Sequence, residues 1–584
     1  MYAELPSPRS IRVLSFEPQT LSSNQDRKTR PRDEVNNEWI DVMHCKMLVT
    51  ELTDLKSYDA LSYVWGDPNV REHLLVCNDH SVKITANLWS ALQDIWTKWP
   101  EKKLWVDAIC INQENTPERN HQVGMMGDIY STAKEVIVWV GGQTPLSRDF
   151  FKAARLIETK KDLSLASWDP TKNDRREEDS GDGKREFLNH LSDCGDDIAS
   201  RPWFVRAWTL QEIKLATDAI ICCGNDTANF GLFLETIYRI NCLHTFMDVC
   251  GGRMVRIPTF YDVHDSNFKT LYRVLATTQE RQATDPKDKI YSIMSLLSKD
   301  LYGFMKPDYS LSFEDTFAWA CRICIKVDSE MNVLAGAGLA SKRSGDLPSW
   351  VTDWREYHSA IFDYQNLSRS LSRVIGDKEA RRKRNELGSE LDRTSREIAI
   401  KGMAFGRFKL EDGSQFAFLE IFPECATSSL SRPKTSDGRG LFRFCCGIKP
   451  RKAPVAGIDL GSEEFIRLFH DIRSHDEKQC KCTEGILRRK YLQSDMPHGL
   501  KNKDWVWTTG ISKMHEDEND DEGDDEIHHF YYALRPVDGK GEAKFQLVGK
   551  TNGFSEAWGN EDGDESGAGT ERPFIQIQTD FHLI

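Results

Sequence analysis

The chain lacks any run of about 18 apolar residues, so no membrane-spanning helix is expected. Its opening residues, MYAELPSPRSIRV, hold no apolar signal core, and the expected location is the cytoplasm. It also lacks an excess of positive charge. A net charge of −14 excludes the broad basic face that nucleic-acid binding normally needs. Neither GxGxxG nor GxxxxGKS/T follows an apolar strand, so no phosphate loop of those kinds is present. There is no internal repeat. The 15 cysteines are odd in number and scattered among apolar neighbours. They read as reduced, mostly buried thiols rather than a disulfide framework. Cys321 and Cys324 form a CxxC with no second pair nearby, and His475, Cys480, Cys482 and His498 keep no standard ligand rhythm. No metal is expected from these spacings.

What is present is an alternation of strand and helix. At 584 residues the chain exceeds one core and predicts two or three domains. YDALSYVWG (58–66), KLWVDAICI (103–111), EVIVWVG (135–141) and AIICCG (219–224) read as strands. They are near-continuous apolar runs, as expected where both faces are covered. Between them, NLWSALQDIW (87–96, with Asn87 as cap) and 118–133 have helical spacing. The alternation predicts an α/β fold, a parallel sheet with flanking helices. Residues 169–186 are charged and poor in apolar side chains, which predicts a mobile insertion. From 256 to 360 the pattern is mainly helical, with a loop at 283–289 and a Ser-Phe-Glu-Asp start at Ser312. LPSWVTDW (347–354) is expected to pack against a neighbouring domain, and REIAIKGMAFGRF reads as a strand pair. Residues 361–584 predict a mixed α+β region with an acidic loop at 516–526.

The segment from Ser200 to Ala216 carries most of the chemistry. Read as one helix capped by Ser200, it places Arg201, Val205, Trp208 and Glu212 on one face. An acid on an aromatic-lined face is either ion-paired structure or a catalytic group. Asp107 lies among apolar neighbours, so it needs a partner or a task. It would either cap a helix or pair with an arginine, or stand in the crevice at the carboxyl end of a parallel strand. Asn112 and Gln113 follow it and would serve the same crevice. Tyr63 and Trp65, with Gly66 as a turn, form either core aromatics or a wall for a flat ring. Arg201 would meet a phosphate at the helix start, whereas Arg206 reads more readily as a solvated or salt-bridged arginine.

YDALSYVWG, LWVDAICINQENTPERNHQVGMMGDIYSTAKEVIVWVG and RPWFVRAWTLQEIKLA together resemble the fungal heterokaryon incompatibility (HET) domain. ATDPKDKIYSIMSLL, KPDYSLSFEDTFAWA and LPSWVTDW are similar to segments that follow it, and beyond about 360 the resemblance lapses. The resemblance implies a role in fungal non-self recognition and regulated cell death. The HET domain is in turn similar to Toll/interleukin-1 receptor (TIR) domains, which implies a TIR-like, flavodoxin-like sheet. YDALSY, WVDAIC and Trp208-Thr-Leu-Gln-Glu212 fall in the TIR order.

By that similarity Glu212 is the catalytic candidate for cleaving NAD, a substrate rather than a tightly bound cofactor. Asp107, Tyr63, Trp65, Gly66, Arg201, Trp208 and Asn112 are the candidate binding residues. The rival reading is a non-enzymatic signalling and self-assembly module in which Glu212 is a structural acid. The two differ in geometry: an enzyme needs Glu212 and Asp107 to open into one pocket. Expected partners are NAD or a related dinucleotide, further copies of the chain, and a recognition protein. Part of the aromatic set Trp65, Trp105, Trp139, Trp203 and Trp208 is expected at an interface. The expected divisions are an N-terminal segment (1–40), the HET domain (41–255), a helical extension (256–360) and the C-terminal region (361–584).

Overall fold

The computed structural model describes residues 2–17, 42–53, 57–67, 69–159, 181–246, 255, 270–328, 330–338 and 347–358, and short stretches from 390 onward. These later stretches are 390–393, 395, 397–410, 416–421, 488–492, 505–509, 531–537, 544–550 and 577–583. The chain divides into two compact units, 1–269 with 273–311, and 270–272 with 312–584. Among the described residues no helix is long and apolar enough to cross a membrane. The acidic loop at 516–526 and the His475–His498 cluster lie outside the described residues.

The first unit is built on a sheet of nine strands. They are β1 (Ser10–Phe16), β2 (Val42–Glu51), β3 (Asp59–Ser62), β4 (His73–Cys77), β5 (His80–Ile84), β6 (Lys103–Trp105), β7 (Val136–Trp139), β8 (Ala219–Cys223) and β9 (Asp226–Asn229). Their spatial order is β5-β4-β2-β1-β6-β3-β7-β8-β9. At its centre β6, β3, β7 and β8 are mutually parallel. Taken in chain order these four lie second, first, third, fourth, a doubly wound order that reverses direction between β3 and β7. Every residue of β3 and β7 is buried, as the apolar runs predict for strands covered on both faces. The sheet is mixed, because β1 runs antiparallel to both β2 and β6. The N-terminal segment 1–40 supplies an inner strand, whose residues are buried at six of seven positions.

Helices cover the sheet: α1 (Ala86–Lys98), α2 (Asp107–Cys110), α3 (Thr116–Thr132), α4 (Pro145–Glu158), α5 (Gly181–Ala199), α6 (Ala207–Lys214) and α7 (Phe230–Phe246). The cap of α1 is Thr85, which accepts from the Leu88 amide, and not Asn87 as expected. Asn87 instead donates to the Val64 carbonyl at 3.2 Å. Strand β6 stops at Trp105, far short of the expected 103–111, because the chain turns straight into α2. The expected mobile insertion overlaps α5 at 181–186, and 169–180 lie outside the described residues.

The expected continuous helix at 200–216 is broken. A 3-10 turn covers Pro202–Val205, Arg206 is extended at φ −71° and ψ 137°, and α6 begins at Ala207. Tertiary pairing overrides local propensity here. Gln282 accepts from the Ala207 amide at 2.8 Å and donates its own amide to the Val205 carbonyl at 2.6 Å. Arg201 and Glu212 are thus not on one helix face.

The second unit contains α8 (Phe313–Lys326), capped as expected by Ser312, which accepts from the Asp315 amide at 3.1 Å. Seven further strands follow: β10 (Ile398–Leu410), β11 (Phe416–Ile421), β12 (Arg488–Leu492), β13 (Trp505–Thr509), β14 (Tyr531–Val537), β15 (Lys544–Lys550) and β16 (Ile577–Leu583). The expected strand pair at 396–408 is one long strand, β10, shifted in register at Ala404/Gly406. It pairs with β16 as well as with β11 and β13, which closes part of the sheet on itself. Within this unit LPSWVTDW is buried, and Ser349 Oγ accepts from the Leu547 amide of β15 at 2.9 Å.

Candidate functional site

The site lies at the carboxyl edge of the parallel strands, beside the reversal between β3 and β7. Strand β3 ends at Ser62, whose hydroxyl joins two buried groups. It accepts from Trp203 Nε1 at 2.8 Å and donates to Glu212 Oε2 at 2.5 Å. Glu212 lies on α6 and is 1% exposed, and its second oxygen has no hydrogen-bond partner. Burial pushes its carboxyl up to about 7. The Arg206 charge pulls it down, Asp107 pushes it further up, and the Ser62 hydrogen bond again lowers it.

Arg206 owes its place to the break before α6. Its carbonyl accepts from Arg281 Nη1 at 3.0 Å, which fixes the extended residue. Its guanidinium lies 5.7 Å from the Trp65 ring centroid and donates to the Tyr63 carbonyl. Asp107 stands just past β6 as the first residue of α2. Its Oδ2 accepts from Trp65 Nε1 at 2.8 Å, and Oδ1 accepts from the Ala108 amide at 2.7 Å. Burial raises its pKa, and Arg206 opposes the rise.

A cavity of about 480 Å³ opens here, with Trp65, Gly66, Asp107, Gln113, Arg206 and Trp208 on its wall. Its far side comes from 282–309, where Asp288 accepts from the Tyr309 hydroxyl at 2.6 Å. Burial pushes Asp288 up to about 6, against hydrogen bonds from Tyr309 and Trp208. A second cavity of about 630 Å³ lies across Val64 and Pro202, which line both. Gly141, Gly142 and Gly224 form part of its wall.

The structure sorts the expected residues. Trp65, Gly66, Asp107 and Trp208 meet at the first cavity. Glu212 does not reach either wall, although Trp208, one turn before it on α6, lines the first. Tyr63 is 2% exposed and lines neither cavity, and its carbonyl accepts from Arg206. Arg201 is ion-paired with Asp197 at 2.9 Å and donates to the Val140 and Gly142 carbonyls, so it is a structural tie. Asn112 belongs to a turn, where its side chain accepts from the Glu114 amide at 3.3 Å, while its neighbour Gln113 lines the cavity. Of the aromatic set of which part was expected at an interface, Trp105, Trp139, Trp203 and Trp208 are at most 8% exposed, which leaves Trp65 as the more exposed member. Sequence reasoning gave Arg206 a bland role and missed Asp288 and Tyr309. Asp288 lies in the charged loop at 283–289 and Tyr309 in the segment KPDYS, and those were the signals the sequence offered.

The family model described as Heterokaryon incompatibility protein (HET) matches residues 58–212. This segment is a HET domain. Its limits run from the start of the β3 segment to Glu212, its last matched residue. The sheet and the cavity extend beyond it, to β1 and β2 and to 282–309. The chain is also similar to "Heterokaryon incompatibility protein 6, OR allele" of Neurospora crassa, at 25% identity over 381 residues. That alignment covers 54% of this chain and 56% of the relative, so the chain spans about half the length of the curated relative it matches. No solved structure matches.

Proposed function

We propose that the chain is an effector of heterokaryon incompatibility whose HET domain cleaves the nicotinamide–ribose bond of NAD. The observation that supports this most is Glu212: a carboxyl pushed to about 7 with one oxygen unpartnered, at the carboxyl edge of doubly wound strands. Ionised Glu212 would accept from the ribose hydroxyls and stabilise the positive charge that grows on the sugar. The C1′–N bond breaks with its electron pair on nicotinamide, which leaves as a neutral ring and needs no proton. Water then adds at C1′ and releases its proton to solvent. Trp65 and Trp208 would flank a flat ring, and Arg206 would face a phosphate. The structure is read as a resting state, because Glu212 reaches a substrate only once the wall at Arg206 or Trp208 opens. The TIR-like order of YDALSY, WVDAIC and Trp208-Thr-Leu-Gln-Glu212 in the sequence supports the same assignment.

The test is incubation of purified full-length protein with NAD at rising protein concentrations, with chromatography of the products. Nicotinamide should form with the parent and vanish with Glu212→Gln. No nicotinamide at any concentration would end the proposal. One observation favours the second reading, a non-enzymatic signalling and assembly module. Glu212 is 1% exposed and absent from the cavity wall, while Asp107 opens into it. On that reading Glu212→Gln leaves self-association and cell-death signalling unchanged.

A further inference from the structure

Away from the HET cavity, three side chains with metal-binding chemistry converge between α4 and α5. His190 and Cys194 are four residues apart on α5, so both face one side of that helix. Asp149, on α4, faces them. His190 Nε2 lies 3.0 Å from Asp149 Oδ2 and 3.5 Å from Cys194 Sγ. All three ligand atoms fall within 4.8 Å of one another. A tetrahedral zinc ion with bonds of about 2.0–2.3 Å sets its ligands roughly 3.3–3.8 Å apart. Two of the pairs are already near that spacing, and the third, within 4.8 Å, needs a shift of at most about an ångström.

We propose that Asp149, His190 and Cys194 bind a zinc-class divalent cation that ties α4 to α5. The donor set of one thiolate, one imidazole and one carboxylate suits zinc among common divalent ions. His190 and Asp149 keep 39% and 37% of their side chains exposed, which leaves a way in and room for water as a fourth ligand. Cys194 is buried. A bound cation displaces the thiol proton to solvent.

A Cys-His-Asp nucleophile is the competing use of these residues. It requires the thiol and the carboxylate at opposite ring nitrogens, whereas here both meet Nε2.

The cation would join the helices on either side of residues 160–180. It would also brace α5, whose Asp197 holds Arg201 just before Trp203. The spacing His-x3-Cys was legible, but the aspartate comes from another helix.

The experiment is titration of chelator-treated full-length protein with Co²⁺ and then Zn²⁺, followed by absorbance and by proton release. One equivalent should bind, with a thiolate-to-cobalt charge-transfer band and release of one proton in weak buffer. Cys194→Ser should abolish the band, and His190→Ala should weaken binding at least tenfold. Zn²⁺ should raise the melting temperature of the parent but not of His190→Ala. Cys242→Ser, at a half-buried thiol of α7 outside the site, should behave like the parent. Binding that survives both Cys194→Ser and His190→Ala, or no binding near stoichiometric metal, overturns the site. If Cys194→Ser fails to fold, the partly exposed Asp149→Asn, expected to weaken binding tenfold or more, decides the matter.

Discussion

Ser62 is the residue on which the candidate site turns. Its one hydroxyl accepts from Trp203 and donates to Glu212, both almost wholly buried. Ser62→Ala would leave two buried polar groups without that partner, at about 1–3 kcal/mol each before relaxation. We expect a loss of about 2–4 kcal/mol in denaturant unfolding; a change below 0.5 kcal/mol, the size of an ordinary surface substitution, would show the pairing to be incidental. Glu212→Gln tests the neighbouring acid with little change of shape. Its amide oxygen still accepts from Ser62, so the fold should hold with a midpoint close to the parent's at acidic pH. NAD loss and toxicity should disappear if Glu212 is catalytic. A variant that melts far below the parent at every pH would instead assign the acid to structure alone.

At the scale of elements, the decisive event is the break before α6. Pro202 in a first turn and the helical spacing of Arg201, Val205, Trp208 and Glu212 favour one helix, yet the pairing with Gln282 holds Arg206 extended. This is why Arg206, and not Arg201, faces the cavity. Close packing of α3 on its neighbours sets a second constraint. A Cβ on Gly127 would stand 2.5 Å from Ser295 Cβ and 2.6 Å from its Oγ. Gly127→Ala should therefore cost about 1–3 kcal/mol through overpacking, despite the better helix propensity of alanine. Gly142 offers the control, since a Cβ there meets nothing within 4 Å. Gly142→Ala should leave the unfolding midpoint unchanged, and equal losses at both positions would refute the packing argument.

At the scale of the whole molecule, stability should fall as pH rises from about 5 to about 7. The sign follows from two buried acids whose folded values are raised, Glu212 to about 7 and Asp288 to about 6. In this window the folded chain binds more protons than the unfolded chain, so each unit of pH favours unfolding. At about 1.4 kcal/mol per unit, Glu212 alone contributes on the order of 2–3 kcal/mol at most. Lys214, lowered to about 8 by burial, acts in the opposite sense only above its own value. Denaturant titrations at about pH 5 and about pH 7.5 check this, and Glu212→Gln should flatten the slope. A parent whose stability climbs across the window would show that these carboxyls are not buried as protonated groups.

Local pattern determined the alternation of apolar strands and helices, because burial on both faces leaves a continuous signature that needs no knowledge of partners. It also determined the Ser312 cap and the presence of an acid, Glu212, beside Trp208. What the sequence could not hold was long-range pairing. Strand β1 lies between β2 and β6, through contacts some ninety residues apart in the chain with Lys103 and Leu104. Asp288 and Tyr309 reach a cavity whose other wall is Trp65 and Asp107. Asp149 meets His190 across forty-one residues. Each of these depends on which distant groups the fold brings within hydrogen-bond distance. The exposure of Glu212 is decided in the same way. Its burial is a property of packing, and residue type and helical spacing alone do not carry it.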